Sequence, residues 1–267
     1  MKLGIFGRPI GHTKSPKLFR ALGRELGFKI EYEAVEVMDG GLGEAIARAR
    51  AKGWSGANVT IPFKLEAAVL AERLTPAAKA LGAVNTLRFG KMVEGHNTDA
   101  DGLRDALRRS GVIVRGKTAL IFGAGGAARA AGWALAREGA KSVRFTGRTT
   151  LTATKCARVL APSFPKTSFS AGAARNADIW INATPLGMKG HPDKSPAGSG
   201  LRAPETAVDL VYGKETAFQR QTKRMGARVY DGTGMLACQA LRGYEFFTAP
   251  LGARRAALAE RLIKELS

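Results

Sequence analysis

The sequence of 267 residues predicts an α/β fold built on a doubly wound parallel sheet. Three observations carry that prediction. Apolar runs of strand length alternate with segments of helical periodicity along most of the chain. One run, Thr118–Phe122, is continuously apolar, as in a parallel strand buried on both faces. It leads without a break into Gly123-Ala124-Gly125-Gly126-Ala127-Ala128 and an Ala-rich helix reaching about Arg137. Strand, glycine turn and helix in that order are the first unit of such a sheet.

The elements follow in order. Leu3–Phe6 is a short strand ending in the turn-rich segment Gly7–Gly11. Ser15-Pro16 opens a helix, with Ser15 as N-cap and Pro16 at the first helical position. Leu18, Phe19, Leu22 and Leu26 form its apolar face. Ile30–Val37 reads as a strand, Leu42–Ala51 as a helix, Gly56–Thr60 as a strand and Lys64–Glu72 as a helix. Val84–Phe89 and Met92–Glu94 form a hairpin across Gly90-Lys91. A second α/β unit starts after a helix at Gly102–Arg109. Beyond the glycine turn come strands at Val143–Thr146, Ile179–Asn182 and Ala207–Val211. His191–Gly200, rich in Pro, Gly and Ser, reads as a loop expected to move. Two helices, Met235–Phe247 and Arg254–Glu265, close the chain.

Apolar residues make up 45% and aromatics only 7%, so the core must rest on Ala, Leu, Val and Ile. The two cysteines, Cys156 and Cys238, lie far apart in apolar helical patterns and read as small core residues. No apolar run approaches the ~20 residues that span a bilayer, and the first residues are too short a run for a signal peptide. A soluble, cytoplasmic protein is expected. The net charge of +20 invites a nucleic-acid hypothesis. The Lys and Arg are scattered rather than clustered, however, so the charge suits solvated helix faces that attract anions. Small-molecule chemistry ranks above nucleic-acid binding. Monomer and homodimer both remain open.

Gly123–Ala128 fits the G-x-G-x-x-G/A pattern in the context that gives it meaning. Gly123 permits the tight turn, Gly125 lets the backbone approach a pyrophosphate, and Ala128 allows close helix–strand packing. The next strand ends in Thr146-Gly147-Arg148-Thr149-Thr150, with no Asp or Glu to accept from a ribose 2′-hydroxyl. Arg148 stands where a guanidinium would hold a 2′-phosphate, with Thr149 and Lys155 in support. NADP is therefore expected over NAD.

Clusters that the secondary structure does not require remain. They are His12-Thr13-Lys14-Ser15-Pro16, Asn58-Val59-Thr60-Ile61-Pro62-Phe63-Lys64, Ala83-Val84-Asn85-Thr86 and Gly95-His96-Asn97-Thr98-Asp99. Ile181-Asn182-Ala183-Thr184, Asp209-Leu210-Val211-Tyr212 and Asp231-Gly232-Thr233-Gly234-Met235-Leu236-Ala237-Cys238-Gln239 follow. With the glycine turn, this set resembles the shikimate dehydrogenase family from Gly7 to about Ala240.

The resemblance implies NADP-dependent, reversible reduction of 3-dehydroshikimate to shikimate, a step of aromatic amino acid and chorismate biosynthesis. It implies a substrate-binding domain over 1–100, completed by 236–267, and a Rossmann-like NADP-binding domain over 101–235. A cleft would lie between them, and the C-terminal helices would return to the first domain. Lys64 and Asp99 would be the catalytic pair. Thr13 and Ser15 would hold the substrate carboxylate, with Tyr212 nearby in the substrate site, and Asn58, Thr60, Asn85 and Gln239 the ring hydroxyls. Gly123, Ala124, Gly125, Gly126, Ala127, Arg148, Thr149, Thr184 and Met235 would contact the cofactor.

Neutral amides and hydroxyls suit a polyhydroxylated acid. A Lys beside a carboxylate can deliver a proton to the ketone oxygen or stabilise its developing charge. Thr13 stands where the family has serine, which raises a quinate/shikimate dehydrogenase, or a paralogue acting on a related hydroxy acid, as the alternative. Gly147 and Thr152 replace the family's Asn and second Arg. His12 and His96 lack neighbouring ligands at metal spacing, so no metal site is expected.

Overall fold

A computed structural model describes residues 1–11 and 13–266. The chain divides into two compact units, Met1–Thr98 with Ala237–Ser267, and Asp99–Leu236.

The first unit runs β1 (Lys2–Gly7), α1 (Ser15–Leu26), β2 (Glu31–Glu36), α2 (Leu42–Ala51), β3 (Gly56–Val59), α3 (Lys64–Leu70), β4 (Arg73–Leu74), α4 (Pro76–Leu81), β5 (Thr86–Phe89) and β6 (Val93–His96). Its sheet has the order β2-β1-β3-β5-β6-β4. β1 is parallel to β2 and β3, and β5 is antiparallel to β3 and β6. The antiparallel step follows from chain length, because β5 and β6 are joined by a short hairpin and a parallel return needs a long crossover. Leu18, Phe19 and Leu22 of α1 are fully buried and Leu26 half-buried. Each of the three buried side chains stabilises by about 1.5–3 kcal/mol. On the α2 side Phe6, Leu42, Trp54, Val59 and Leu87 share one core cluster, with Phe6 and Trp54 stacked at 5.9 Å.

The second unit runs α5 (Asp99–Arg109), β7 (Thr118–Phe122), α6 (Gly126–Arg137), β8 (Ser142–Thr146), α7 (Thr150–Leu160), β9 (Ser168–Ala171), β10 (Ile179–Asn182), β11 (Thr206–Asp209), α8 (Ala217–Arg224) and β12 (Arg228–Tyr230). Every strand pair of its sheet is parallel, in the order β12-β11-β10-β7-β8-β9. The chain winds outward from β7 to β9, then restarts at β10 on the other side of β7. That reversal opens a crevice at the carboxyl ends of β7 and β10, where open α/β sheets bind ligands. α9 (Thr233–Phe247) starts in the second unit and ends in the first, and α10 (Arg254–Leu266) packs on α1. Lys14 Nζ donates to the Leu266 carbonyl at 2.7 Å at that contact.

Several elements escape a reading of periodicity. β4, β9 and β12 are two to four residues long, and α8 is mostly polar. α7 and α4 are revealed chiefly by their caps, Thr149 and Thr75. The hairpin loop is Gly90–Met92 rather than two residues. Ser15 is not the cap of α1: Lys14 holds that position without a side-chain bond. Ser15 is the first helical residue, and its N–H donates to Thr13 Oγ1 at 3.3 Å. The capping oxygen comes from two residues upstream, which leaves the Ser15 hydroxyl for other work. His191–Gly200 carries no helix or strand. Its Asp193 accepts from the Ala217 amide at 2.8 Å and from Arg220 at 2.6 Å. No helix of the described residues is long and apolar enough to cross a membrane.

Candidate functional site

In the first unit β3 ends in Asn58-Val59-Thr60, and the chain turns through Ile61-Pro62 into α3, whose first residue is Lys64. The Asn58 side chain is buried and used within the protein. Tyr32 donates to its Oδ1 at 2.7 Å, and its Nδ2 donates to the Asn85 carbonyl and to Thr86 Oγ1 at 3.3 and 3.1 Å. Asn85 Oδ1 accepts from the Thr98 amide at 2.7 Å and from the Thr86 hydroxyl at 3.0 Å. Asn85 Nδ2 donates to Thr98 Oγ1 at 3.0 Å, and Thr98 Oγ1 lies 3.3 Å from Gln239 Oε1. The approach to β5, the end of β6 and α9 thus bring Asn85, Thr98 and Gln239 together.

Two backbone bonds add Lys64. Val84 N donates to the Lys64 carbonyl and Val59 N to the Asn85 carbonyl, both at 2.8 Å. Thr60 and Lys64 are half-buried. Thr13 is half-buried and Ser15 buried, and the Thr13 hydroxyl donates to Ser15 Oγ at 3.2 Å. Asp99, buried, follows Thr98 directly and opens α5. His96 Nδ1 lies 2.8 Å from Thr75 Oγ1, and its ring packs 4.9 Å from that of Phe246, the contacts of a structural histidine. His12 lies outside the described residues.

In the second unit the glycine turn closes the carboxyl end of β7. Gly123 has φ 123°, and a Cβ there would come within 2.8 Å of the Ala183 carbonyl oxygen. Its amide donates to the Thr146 carbonyl at 2.7 Å. Gly125 caps α6 without a side-chain bond, and a Cβ there would meet nothing within 4 Å. Open space therefore faces the free amides of the first turn of α6, a cradle that fits a phosphate. Ala124, Gly126 and Ala127 line the turn half-buried, and Ala128 is fully buried against the sheet. Beneath the turn Cys156 Sγ donates to the Ala124 carbonyl at 3.2 Å. Burial pushes that thiol above its usual range, with the Arg129 guanidinium opposing.

Gly147 and Arg148 follow β8 exposed. Thr149 Oγ1 accepts from the Thr152 amide at 3.3 Å and lies 3.0 Å from Thr152 Oγ1, so both threonines are engaged in capping α7. Residues 139–177 contain seven Lys and Arg and no Asp or Glu. A ribose 2′-hydroxyl would find no carboxylate here, whereas a 2′-phosphate would find a positive field.

At the carboxyl ends of β10 and β11 lie two residues that received no role from sequence, Asn182 and Asp209. They are paired in register and fully buried. Asn182 Oδ1 accepts from the amide and the hydroxyl of Thr184 at 3.0 and 2.6 Å. Tyr212 is half-buried three residues beyond β11. Met235 is 9% exposed, in the first turn of α9. Thr86 and Thr98 were likewise given no role. For Asn182 and Asp209 the signal is a polar residue at the end of an otherwise apolar strand, where packing alone would choose an apolar one; Thr86 opens β5 and Thr98 lies beyond β6, and neither carries that signal. A groove of about 280 Å³ along β2 and α2, lined by Glu33, Glu44 and Trp54 among others, holds none of the expected site residues.

The profile of the shikimate dehydrogenase substrate binding domain matches residues 5–87. A protein of Methanothrix thermoacetophila named shikimate dehydrogenase (NADP(+)) is 37% identical over 244 residues, 91% of this chain and 90% of that one. The chain belongs to the shikimate dehydrogenase family. A crystal structure of the family's Thermus thermophilus shikimate 5-dehydrogenase, in complex with NADP(H) and shikimate, superposes with a TM-score of 0.84 at 31% identity and covers 100% of both chains. A 5-ketofructose reductase of Gluconobacter has the same fold, with a TM-score of 0.81 at 26% identity over 99% of this chain and 98% of that one. The shikimate dehydrogenase fold therefore also carries a reductase named for a different ketone, and the residues of the site must decide the substrate.

Proposed function

We propose that the protein reduces 3-dehydroshikimate reversibly to shikimate with NADPH. The observation that carries this reading is a NADP-dependent shikimate dehydrogenase relative aligned over nine-tenths of both chains. The residues fit the chemistry. The unit of Met1–Thr98 and Ala237–Ser267 binds the substrate, and the unit of Asp99–Leu236 binds the cofactor. Thr13 and Ser15 hold the carboxylate, and Tyr212 is a further substrate-binding residue. Thr60, Asn85 and Gln239 hold the ring hydroxyls. Asn58 joins them, its side chain oriented by Tyr32, Asn85 and Thr86 and its Oδ1 able to accept a second bond.

Gly123–Ala127 and the first turn of α6 hold the pyrophosphate, Arg148 the 2′-phosphate, and Thr184 and Met235 the nicotinamide end. Thr149 contributes by starting α7 beside Arg148. NADPH, when bound, supplies the hydride that reaches the ketone carbon. Lys64 and Asp99 supply the proton that reaches the ketone oxygen, and take it back when shikimate is oxidised.

The test is steady-state oxidation of shikimate with NADP, with NAD and quinate as parallel arms. The expected result is fast turnover with shikimate and NADP, reduced by about 10²–10⁴-fold in Lys64→Ala. A protein that binds NADP but turns over neither acid would overturn the reading. Thr13 supports one alternative, since its extra methyl group reshapes the place of the substrate carboxylate. A higher kcat/KM for quinate than for shikimate, reversed by Thr13→Ser, would establish it.

A further inference from the structure

Asp209 is the last residue of β11 and a carboxylate at 0% exposure. Among the described residues no Lys or Arg forms an ion pair with it. Four dipolar donors surround it instead. Oδ1 accepts from Asn182 Nδ2 at 2.9 Å and from the Val211 amide at 3.1 Å. Oδ2 accepts from the Thr216 hydroxyl at 2.5 Å and from Gln219 Nε2 at 3.2 Å. A buried charge is costly unless its hydrogen bonds are complete. A sheet needs no such group at a strand end, where an apolar residue would pack as well.

What hangs on the carboxylate gives it a purpose. Through Asn182 it reaches the amide and the hydroxyl of Thr184. The neighbouring Ala183 carbonyl is the atom that a side chain at Gly123 would strike. Through the Val211 amide it sets the backbone that carries Tyr212. The Val211 carbonyl in turn accepts from Gly232 at 3.0 Å. A Cβ at Gly232 would lie 2.3 Å from the Leu210 carbonyl oxygen, so the turn leading to Met235 sits directly on this segment. Thr184 and Tyr212 stem from two loops and Met235 from the first turn of α9; the carboxylate holds the first through Asn182 and the second through the Val211 amide, and the third rests on the second through Gly232.

We propose that Asp209 is a positioning residue for hydride transfer: it holds the segments that carry Thr184, Tyr212 and Met235 in one register without touching substrate or cofactor. The proposal rests on the dehydrogenase reading above. The wild-type rate tests that reading, and the ratio of variant to wild type tests this one.

The experiment compares Asp209→Asn, Asn182→Ala and Gln219→Leu with wild type. It reads kcat, NADP affinity by equilibrium dialysis, and hydrogen–deuterium exchange of the peptides covering 183–187 and 210–213. Asp209→Asn should lower kcat by about 10–100-fold, the scale of an ångström misplacement. NADP affinity should stay within about threefold, because the phosphate turn is not bonded to the carboxylate. Exchange should rise in both peptides. Asn182→Ala, which cuts the link to Thr184 but keeps the carboxylate, should reproduce the fall in kcat. It carries the test alone if Asp209→Asn does not fold. Gln219→Leu removes a donor on the α8 side and should lower the melting temperature with kcat little changed. Wild-type kcat and exchange in Asp209→Asn or Asn182→Ala would overturn the proposal. So would an equal loss of kcat in Gln219→Leu. The exchange readout decides even if shikimate is not the substrate.

Discussion

Gly123 and Gly125 share one turn and answer to different constraints. At Gly123 the backbone has φ 123° and the Ala183 carbonyl closes the space a side chain would need. Gly123→Ala should therefore destabilise the fold by about 1–3 kcal/mol, read as a lower melting temperature without cofactor. Gly125 has ordinary backbone angles and open space. Gly125→Ala should leave the melting temperature nearly unchanged and weaken NADP about tenfold, equivalent to about 1.4 kcal/mol, because its methyl occupies the phosphate's approach.

Asp209 supplies a pH signature. Burial is the largest influence on its carboxyl and raises it above the usual range, with bonds from Thr216, Val211, Gln219 and Asn182 opposing. The folded state thus holds the proton more tightly than the unfolded chain does. The contribution of Asp209 to stability is fully present below the unfolded pKa of about 3.9 and is lost as pH rises through the raised folded value. Asp209→Asn cannot ionise. Its melting temperature relative to wild type should climb as pH rises above about 4. A flat or falling difference would mean that the native carboxylate is not raised.

At the scale of elements, α7 shows how a helix start can serve a site. Thr149 caps it and Arg148 precedes it, so the cap fixes where the guanidinium emerges. Thr149→Ala should cost about 1 kcal/mol of stability and raise the KM for NADP modestly. Arg148→Ala should leave stability alone and raise the KM for NADP with little change for NAD, which lacks the 2′-phosphate. Equal losses for both cofactors would place Arg148 elsewhere than at the 2′-position. α7 was not legible in the sequence as an element. Its threonines blur the 3.6-residue period, and the residue that starts it reads equally well as part of a ligand turn. α9 was legible, and Gln239 stood out as polar among Met235-Leu236-Ala237-Cys238. That Gln239 meets Thr98, 141 residues away, follows from packing between elements and leaves no local trace.

The whole molecule carries its charge unevenly. Residues 99–236 hold 22 Lys and Arg against 10 Asp and Glu, a net +12 of the chain's +20. The run from 139 to 177 has no carboxylate at all. A field of this kind raises association rates for anions and is screened by salt within about 8 Å at physiological ionic strength. NADP affinity should fall as salt rises, more steeply than that of NAD. Lys155→Glu should reduce the association rate of NADP while leaving kcat unchanged. A salt response identical for the two cofactors would reduce the charge to a solvated surface.

The sequence by itself determined the alternation of strands and helices, the glycine turn, the absence of an acid after β8 and the family. Each is written in local order, because periodicity, turn chemistry and motif spacing act over a few residues. The tertiary structure decided the strand orders of both sheets. It also decided that Asn58 bonds Tyr32, Asn85 and Thr86, and that Asp209 gathers the segments carrying Thr184 and Tyr212. Those outcomes depend on which buried polar groups meet once the chain has closed. A hydrogen bond between residues far apart in sequence has no local pattern to announce it; it exists because a buried polar atom must find a partner wherever the fold places one.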